Sequence, residues 1–207
     1  MKIMLLKKLI LLLTTIVISQ SLWAQEMLNP KEDFLYDGKY FGAYPPYITF
    51  GLGYGYNTMT SKGEQNLALD FHMQIKKTDF AFNAGYFAST PRFLEGGGGL
   101  DQYFSRQKIN DFHAGAGYRY ERLKSNFGVY GGFSFVAGRS PVDTIVNSNA
   151  YILRRTPGLY LQANFSHKPH YDVGYGLTLY AVYSRYYKII GVQAHIFLSS
   201  AFKAYNR

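Results

Sequence analysis

Nine residues in three stretches carry side chains that could do chemistry together. Asp70, His72, Gln74 and Lys76 alternate along one stretch, His113, Arg119 and Glu121 lie along a second, and Gln193 and His195 along a third. Spacing in steps of two puts each set on one side of an extended strand. A histidine held by a carboxylate can serve as a general base. With Ser89, Ser134 or Ser199 as nucleophile, such a pair would suit acyl transfer. No spacing in the sequence ties a serine to a histidine. Charged groups enclosed in a narrow interior must be paired or hydrogen-bonded, so the plainer expectation is a polar network that plugs a lumen and fixes strand register. Two other places are weaker. The run Gly96 to Gly99 lacks the Lys-Ser/Thr and the helix that a phosphate loop needs. His167, His170 and Asp172 share one turn with Lys168 and Pro169, which suits adventitious metal binding rather than a built site. No cofactor or metal is expected.

The element that positions the first set is a hairpin. Leu67, Leu69, Phe71, Met73 and Ile75 alternate with Ala68, Asp70, His72, Gln74 and Lys76. After Lys77-Thr78-Asp79 the alternation resumes, with Phe80, Phe82, Ala84, Tyr86 and Ala88 against Ala81, Asn83, Gly85, Phe87 and Ser89. This predicts two long strands joined by a tight turn, each with one apolar face and one mild face. The pattern recurs through the chain. A strand at 48–57 sets Ile48, Phe50, Leu52, Tyr54 and Tyr56 against Thr49, Gly51, Gly53, Gly55 and Asn57. Further strands are expected at 112–121, 127–136, about 151–166, 173–184 and 190–199, the one from 151 broken or bulged near Pro157. Tight turns near 78, 125 and 170 alternate with longer connections at 58–65, 90–108 and 139–150. A propeller blade would need four short strands per repeat, where this chain has two long ones.

The chain has 207 residues and no cysteine, which bounds it to about one domain and excludes disulfides and Cys-based zinc sites. Lys2, Lys7 and Lys8 precede an apolar run from Leu9 to Ile18, and the small residue Ala24 stands before Gln25. This is the layout of a cleaved secretory signal peptide, 1–24, since the apolar run is only about half of what spans a bilayer. Residues 25–46, with Pro30, Pro45 and Pro46, show no clean period and are expected to be an irregular periplasmic lead-in to a barrel at 47–205. The formal net charge of +9 includes the three leader lysines, leaving +6 for the mature chain. Its lysines and arginines are scattered, so nucleic acid is not an expected partner.

Strands of about ten residues, even in number, with turns alternately short and long, are the signature of a transmembrane barrel. The competitor is a soluble lipocalin-like barrel carrying an apolar ligand, because alternation alone does not say which face is outside. Composition favours the membrane. A water-facing surface should be rich in Lys and Glu, whereas the mild faces of most strands hold Gly, Ser, Thr, Asn, Gln and Tyr, small groups suited to a narrow barrel interior. Tyr54, Tyr56, Tyr86, Tyr118, Tyr120 and Tyr183 near strand ends suit the aromatic girdles where lipid meets water.

The leader, the eight alternating strands and the Gly-and-aromatic texture resemble the small outer-membrane β-barrel proteins of Gram-negative bacteria, the OmpA/OmpX-like architecture. The resemblance implies an all-β fold, an eight-stranded antiparallel up-and-down transmembrane β-barrel in the cell outer membrane. Such barrels commonly end in an aromatic residue, whereas this chain ends Ala204-Tyr205-Asn206-Arg207, which leaves Tyr205 or Phe202 for that role. The expected protein is a monomeric, non-enzymatic barrel with a filled lumen, in contact with outer-membrane lipid. It presents loops to a protein partner, as an accessory of a larger surface or secretion assembly. Some small barrels of this kind modify lipid A, so a lipid-modifying acyl-transfer or deacylase enzyme is the alternative. The tight turns and the N-terminal segment should face the periplasm, and the longer connections outward. The longest carries Phe93, Leu94, Leu100, Tyr103 and Phe104 around its glycines, apolar groups that either cover the barrel mouth or meet a partner.

Overall fold

In a computed structural model the alternating segments are eight long antiparallel strands that close into a barrel. The structure describes residues 34–36, 39–59, 61–76, 78–90, 108–141, 151–200 and 202–203. A short hairpin, β1 (Phe34–Tyr36) and β2 (Lys39–Phe41), comes first. The wall consists of β3 (Tyr47–Asn57), β4 (Lys62–Gln74), β5 (Phe80–Thr90), β6 (Lys108–Glu121), β7 (Ser125–Pro141), β8 (Tyr151–His170), β9 (Val173–Ser184) and β10 (Lys188–Ser199), and β11 (Phe202–Lys203) follows. Each wall strand pairs with its neighbours in sequence, and β10 closes on β3 from Ile189 opposite Asn57 to Ser199 opposite Tyr47. This is the eight-stranded up-and-down barrel that the alternation predicts.

Closure leaves the wall no open edge, the condition for putting a sheet into hydrocarbon. The faces fall as the pattern requires. Phe50, Leu52, Phe71, Phe112, Phe133, Leu161, Leu179 and Ile196 point outward, with Phe133 exposed over 78% of its surface and Leu161 over 64%. A band this apolar around a whole cylinder would aggregate in water and is correctly solvated by lipid tails. The alternate residues point inward and are buried, so the protein's core is its lumen.

Three details depart from expectation. First, the connection at 58–65 is shorter: only 58–61 separates β3 from β4, with Ser61 in the left-handed region (φ 53°), because the alternation runs back through Asn66 and Glu64. Second, Pro157 does not break its strand. β8 runs on past Gly158, the residue opposite the end of β9 at Ser184, and Pro157 pairs only with Phe135 of β7. An edge is where a missing N–H costs no ladder bond. The β7–β8 hairpin therefore rises beyond the rest of the rim, and the single irregularity of β8 against β9 lies between His167 and His170.

Third, the segment 25–46 is not wholly irregular, since it holds β1 and β2; the closing strand ends at Ser199, as its alternation predicts, and β11 follows it. β1, β2 and β11 form a separate three-stranded sheet at the tight-turn end, with β2 between the other two. Phe41 of β2 is buried with Leu123 and Tyr171 from two of the tight turns, its ring 5.2 Å from that of Tyr171. Strands of two or three residues have no readable period; β1 and β2 pair as a local hairpin, and β11 joins β2 from the far end of the chain. The leader 1–24 and Tyr205 lie outside the described residues.

Candidate functional site

The lumen is built from inward positions of all eight strands, and its polar groups fall into three zones. At the tight-turn end, Arg119 of β6 is wholly buried. Its Nη2 lies 2.9 Å from Glu121 Oε1, its Nε donates to Asn126 Oδ1 at 2.8 Å, and its Nη1 donates to the carbonyl of Pro45 at 2.7 Å. Lys168 Nζ approaches the same Glu121 oxygen at 2.8 Å and sits 4.0 Å from the centre of the Tyr171 ring. Two cations thus share one carboxylate. Burial, and then the Glu121 charge, raise the Tyr171 hydroxyl well above the ordinary tyrosine range, so it stays protonated in the turn. Gln74 of β4 donates to the carbonyl of Thr78 at 2.6 Å and ties its strand end to the turn.

The middle zone is aromatic and then acidic. Tyr47 and His72 stack with ring centres 4.2 Å apart, Arg119 lies over the Tyr47 ring at 4.4 Å, and the Tyr47 and Tyr130 hydroxyls hydrogen-bond at 2.9 Å. Beyond them His113 sits between two carboxylates, with Nε2 2.7 Å from Asp70 and Nδ1 3.3 Å from Asp111. Gln162 donates to the other Asp70 oxygen at 3.1 Å, Ser134 donates to Asp111 at 2.6 Å, and Asn83 bridges Gln162 and Tyr160. Gly85 faces this group, and a Cβ there would run into Asp70 and His113. Across the lumen His195 is held by Ser166 and Thr178, each at 2.8 Å. A void of about 20 Å³ among Asp70, His113, Gln162, Tyr180 and Gln193 has room for one water.

At the loop end the chemistry changes. Gln193 donates to Asn66 at 2.8 Å, and Asn66 donates to Tyr180. Above them Glu64 of β4, with no exposed surface, accepts from Asn57 at 2.7 Å, Ser89 at 2.6 Å and Tyr187 at 2.8 Å. All three donors are neutral. Burial, and then the Glu64 charge, push the Tyr187 hydroxyl far above its ordinary range, so it remains a donor in the β9–β10 connection.

Eight of the nine residues expected in the lumen, Asp70, His72, Gln74, His113, Arg119, Glu121, Gln193 and His195, are buried there. Lys76 is not: β4 ends at Gln74, and Lys76 is exposed in the turn that follows, where a charged side chain keeps its water. Ser89 and Ser134 bond to carboxylates, not to histidines. The Ser–His contact that does form, Ser166 with His195, is backed by Thr178 in place of a carboxylate and is enclosed by the wall. His167 packs edge-on against Tyr175 at 5.6 Å, and His170 is exposed beside it. Phe93, Leu94, Leu100, Tyr103 and Phe104 lie outside the described residues.

Three important lumen residues had a signal that was cut short. Glu64 continues the inward series of Asn66, Ala68 and Asp70, Asp111 precedes His113 by two, and Lys168 follows Ser166 by two. Each lies one step beyond an expected strand end. The expected ends stopped where the outward residues ceased to be large and apolar, although the inward parity continued.

No family model and no curated sequence matches this chain. Solved structures match it by fold. Neisserial surface protein A aligns with a TM-score of 0.54 at 10% identity, over 75% of this chain and 96% of that one. Ail, the attachment invasion locus protein of Yersinia pestis, aligns with a TM-score of 0.52 at 11% identity, over 75% and 97%. The N-terminal β-barrel domain of Pseudomonas aeruginosa OprF aligns with a TM-score of 0.50 at 8% identity, over 75% and 98%. At these identities the likeness is one of architecture, that of the small eight-stranded outer-membrane barrels.

Proposed function

We propose that this protein is an integral outer-membrane barrel without enzymatic activity, whose wall anchors it and whose loops meet a protein partner as part of a larger surface or secretion assembly. The lumen carries this reading. Its described part is filled by hydrogen-bonded side chains, among them Arg119, Tyr47, Tyr130 and Tyr187, and by the packed ring of Phe197, each with less than 2% of its surface exposed. An eight-stranded barrel has an interior just wide enough for side chains, and the close packing of the described lumen supports a barrel that does not conduct ions. The lumen histidines His72, His113 and His195 and the buried carboxylates are engaged by other side chains inside the wall, and only His113 meets carboxylates; all lie out of reach of an acyl chain in the bilayer, which favours a structural plug over acyl transfer.

The tight turns and the three-stranded sheet belong to the periplasmic end and the longer connections to the outer surface, the usual arrangement of such barrels. Phe93, Leu94, Leu100, Tyr103 and Phe104 form the partner surface in this reading. Purified protein in planar bilayers should give no regular conductance steps, and on gels it should migrate faster before boiling than after. Deleting Glu95 to Leu100 should keep that heat-modifiable migration and remove any partner that co-purifies in mild detergent. Large uniform channel steps, or lipid A whose mass changes with expression of the protein, would overturn the proposal.

A further inference from the structure

The loop end of β8, β9 and β10 gathers four cations, Arg154, Arg155, Arg185 and Lys188. Arg154 and Arg185 flank a single ring, with their guanidinium carbons 4.7 and 5.3 Å from the centre of Tyr186. Lys188 Nζ lies 4.5 Å from the ring of Tyr183, an outward residue exposed over 61% of its surface. Arg155 is exposed on the rising part of β8, on the same outward face as Leu159 and Leu161. None of the four has an ion-pair partner among the described residues. The one described carboxylate at this end is Glu64, turned into the lumen and fully occupied. The opposite rim differs, since its exposed Lys76 and Lys124 share the surface with Asp79 and Asp172.

We infer that this rim is a binding site for the phosphate groups of an anionic lipid headgroup in the outer leaflet. The inference rests on the outer-membrane reading above. Its position fits a headgroup: on β9 and β10 the apolar outer face ends at Tyr183 and Ile190 with Arg185 and Lys188 immediately beyond, and on β8 Arg154 and Arg155 follow Leu159 toward the loop end, with Leu153 exposed past them. A lipid seated against that belt places its headgroup at the level of the cations. The chemistry fits phosphate. A guanidinium presents paired N–H donors that match phosphate oxygens, and the Tyr186 ring that both arginines contact restrains them so that less freedom is lost on binding. Cations at a bilayer surface with no ion-pair partner among the described residues are suited to attract an anionic headgroup.

The test is native mass spectrometry of the detergent-purified protein with three lipid probes: bisphosphorylated lipid A, monophosphoryl lipid A and phosphatidylcholine. Bisphosphorylated lipid A should be retained in preference to the other two. The variant R154Q/R155Q/R185Q/K188Q should retain it at least about tenfold less, and R155Q alone, which removes a charge with no ring contact, about fivefold less. K76Q/K124Q at the opposite rim should retain it as the wild type does. Equal retention of phosphatidylcholine would overturn the inference. So would unchanged retention by R155Q, an equal loss in K76Q/K124Q, or tighter binding of a heparin hexasaccharide than of lipid A. Gel migration with and without boiling, run on the same samples, separates the two levels: wild-type protein that is not heat-modifiable sinks the outer-membrane reading itself.

Discussion

The two ends of the lumen bury charge in opposite ways. At the tight-turn end, Arg119 and Lys168 converge on Glu121, and the chain entering the barrel adds the Pro45 carbonyl. At the loop end, Glu64 is as deeply buried but is held by the neutral donors of Asn57, Ser89 and Tyr187. The first arrangement couples several elements through charge, so losing one member strands the others. The second spreads a single charge over dipoles that any acceptor of the same shape would satisfy. One end is therefore brittle and the other tolerant, although both are equally dry.

Substitutions that test this difference rank by what they leave unpaired. Glu121→Ala leaves two buried cations without their anion and should lower the unfolding free energy in lipid vesicles by about 3–5 kcal/mol, read from the urea midpoint. If it costs no more than a surface substitution, the tight-turn cluster is not the clamp described here. Glu64→Gln keeps the shape and the acceptor oxygen for the same three donors and should cost about 1 kcal/mol or less. A loss as large as that of Glu121→Ala would remove the contrast between the ends. Lys76→Ala, in the exposed turn, should stay within about 0.5 kcal/mol of wild type in the same titration. A larger effect would mean that Lys76 joins the lumen network after all.

How far these features could be read in the sequence follows the same division. The wall was legible because lipid outside and a narrow lumen inside impose opposite demands on successive residues. Phe71 and His72, or Leu161 and Gln162, differ in kind because their surroundings do. His113 and Arg119 were legible for the same reason. Glu64, Asp111 and Lys168 were hidden at strand ends, where outward residues leave the bilayer and become polar, so alternation loses contrast while the strand continues. The three-stranded sheet had one local signal that the irregular reading of 25–46 passed over, the Asp37-Gly38 dipeptide between β1 and β2, which is typical of two-residue hairpins, whereas β11 reaches β2 from the other end of the chain and had none. Which residues meet inside the lumen was equally hidden. That His113 contacts Asp70 from a strand 43 positions away follows from barrel closure and register, not from spacing.

The central claim, a lipid-bathed wall around a filled lumen, can be tested along one strand. The chain has no cysteine, so single cysteines at 159–166 of β8 can each be labelled with a nitroxide without background. In vesicles, oxygen accessibility should peak at 159, 161, 163 and 165 and fall at 160, 162, 164 and 166, with a water-soluble nickel reagent reaching neither set. Ready access of the nickel reagent to the second set would show an open aqueous lumen, and loss of the period-two pattern would show that this strand does not face lipid; either result would contradict the account.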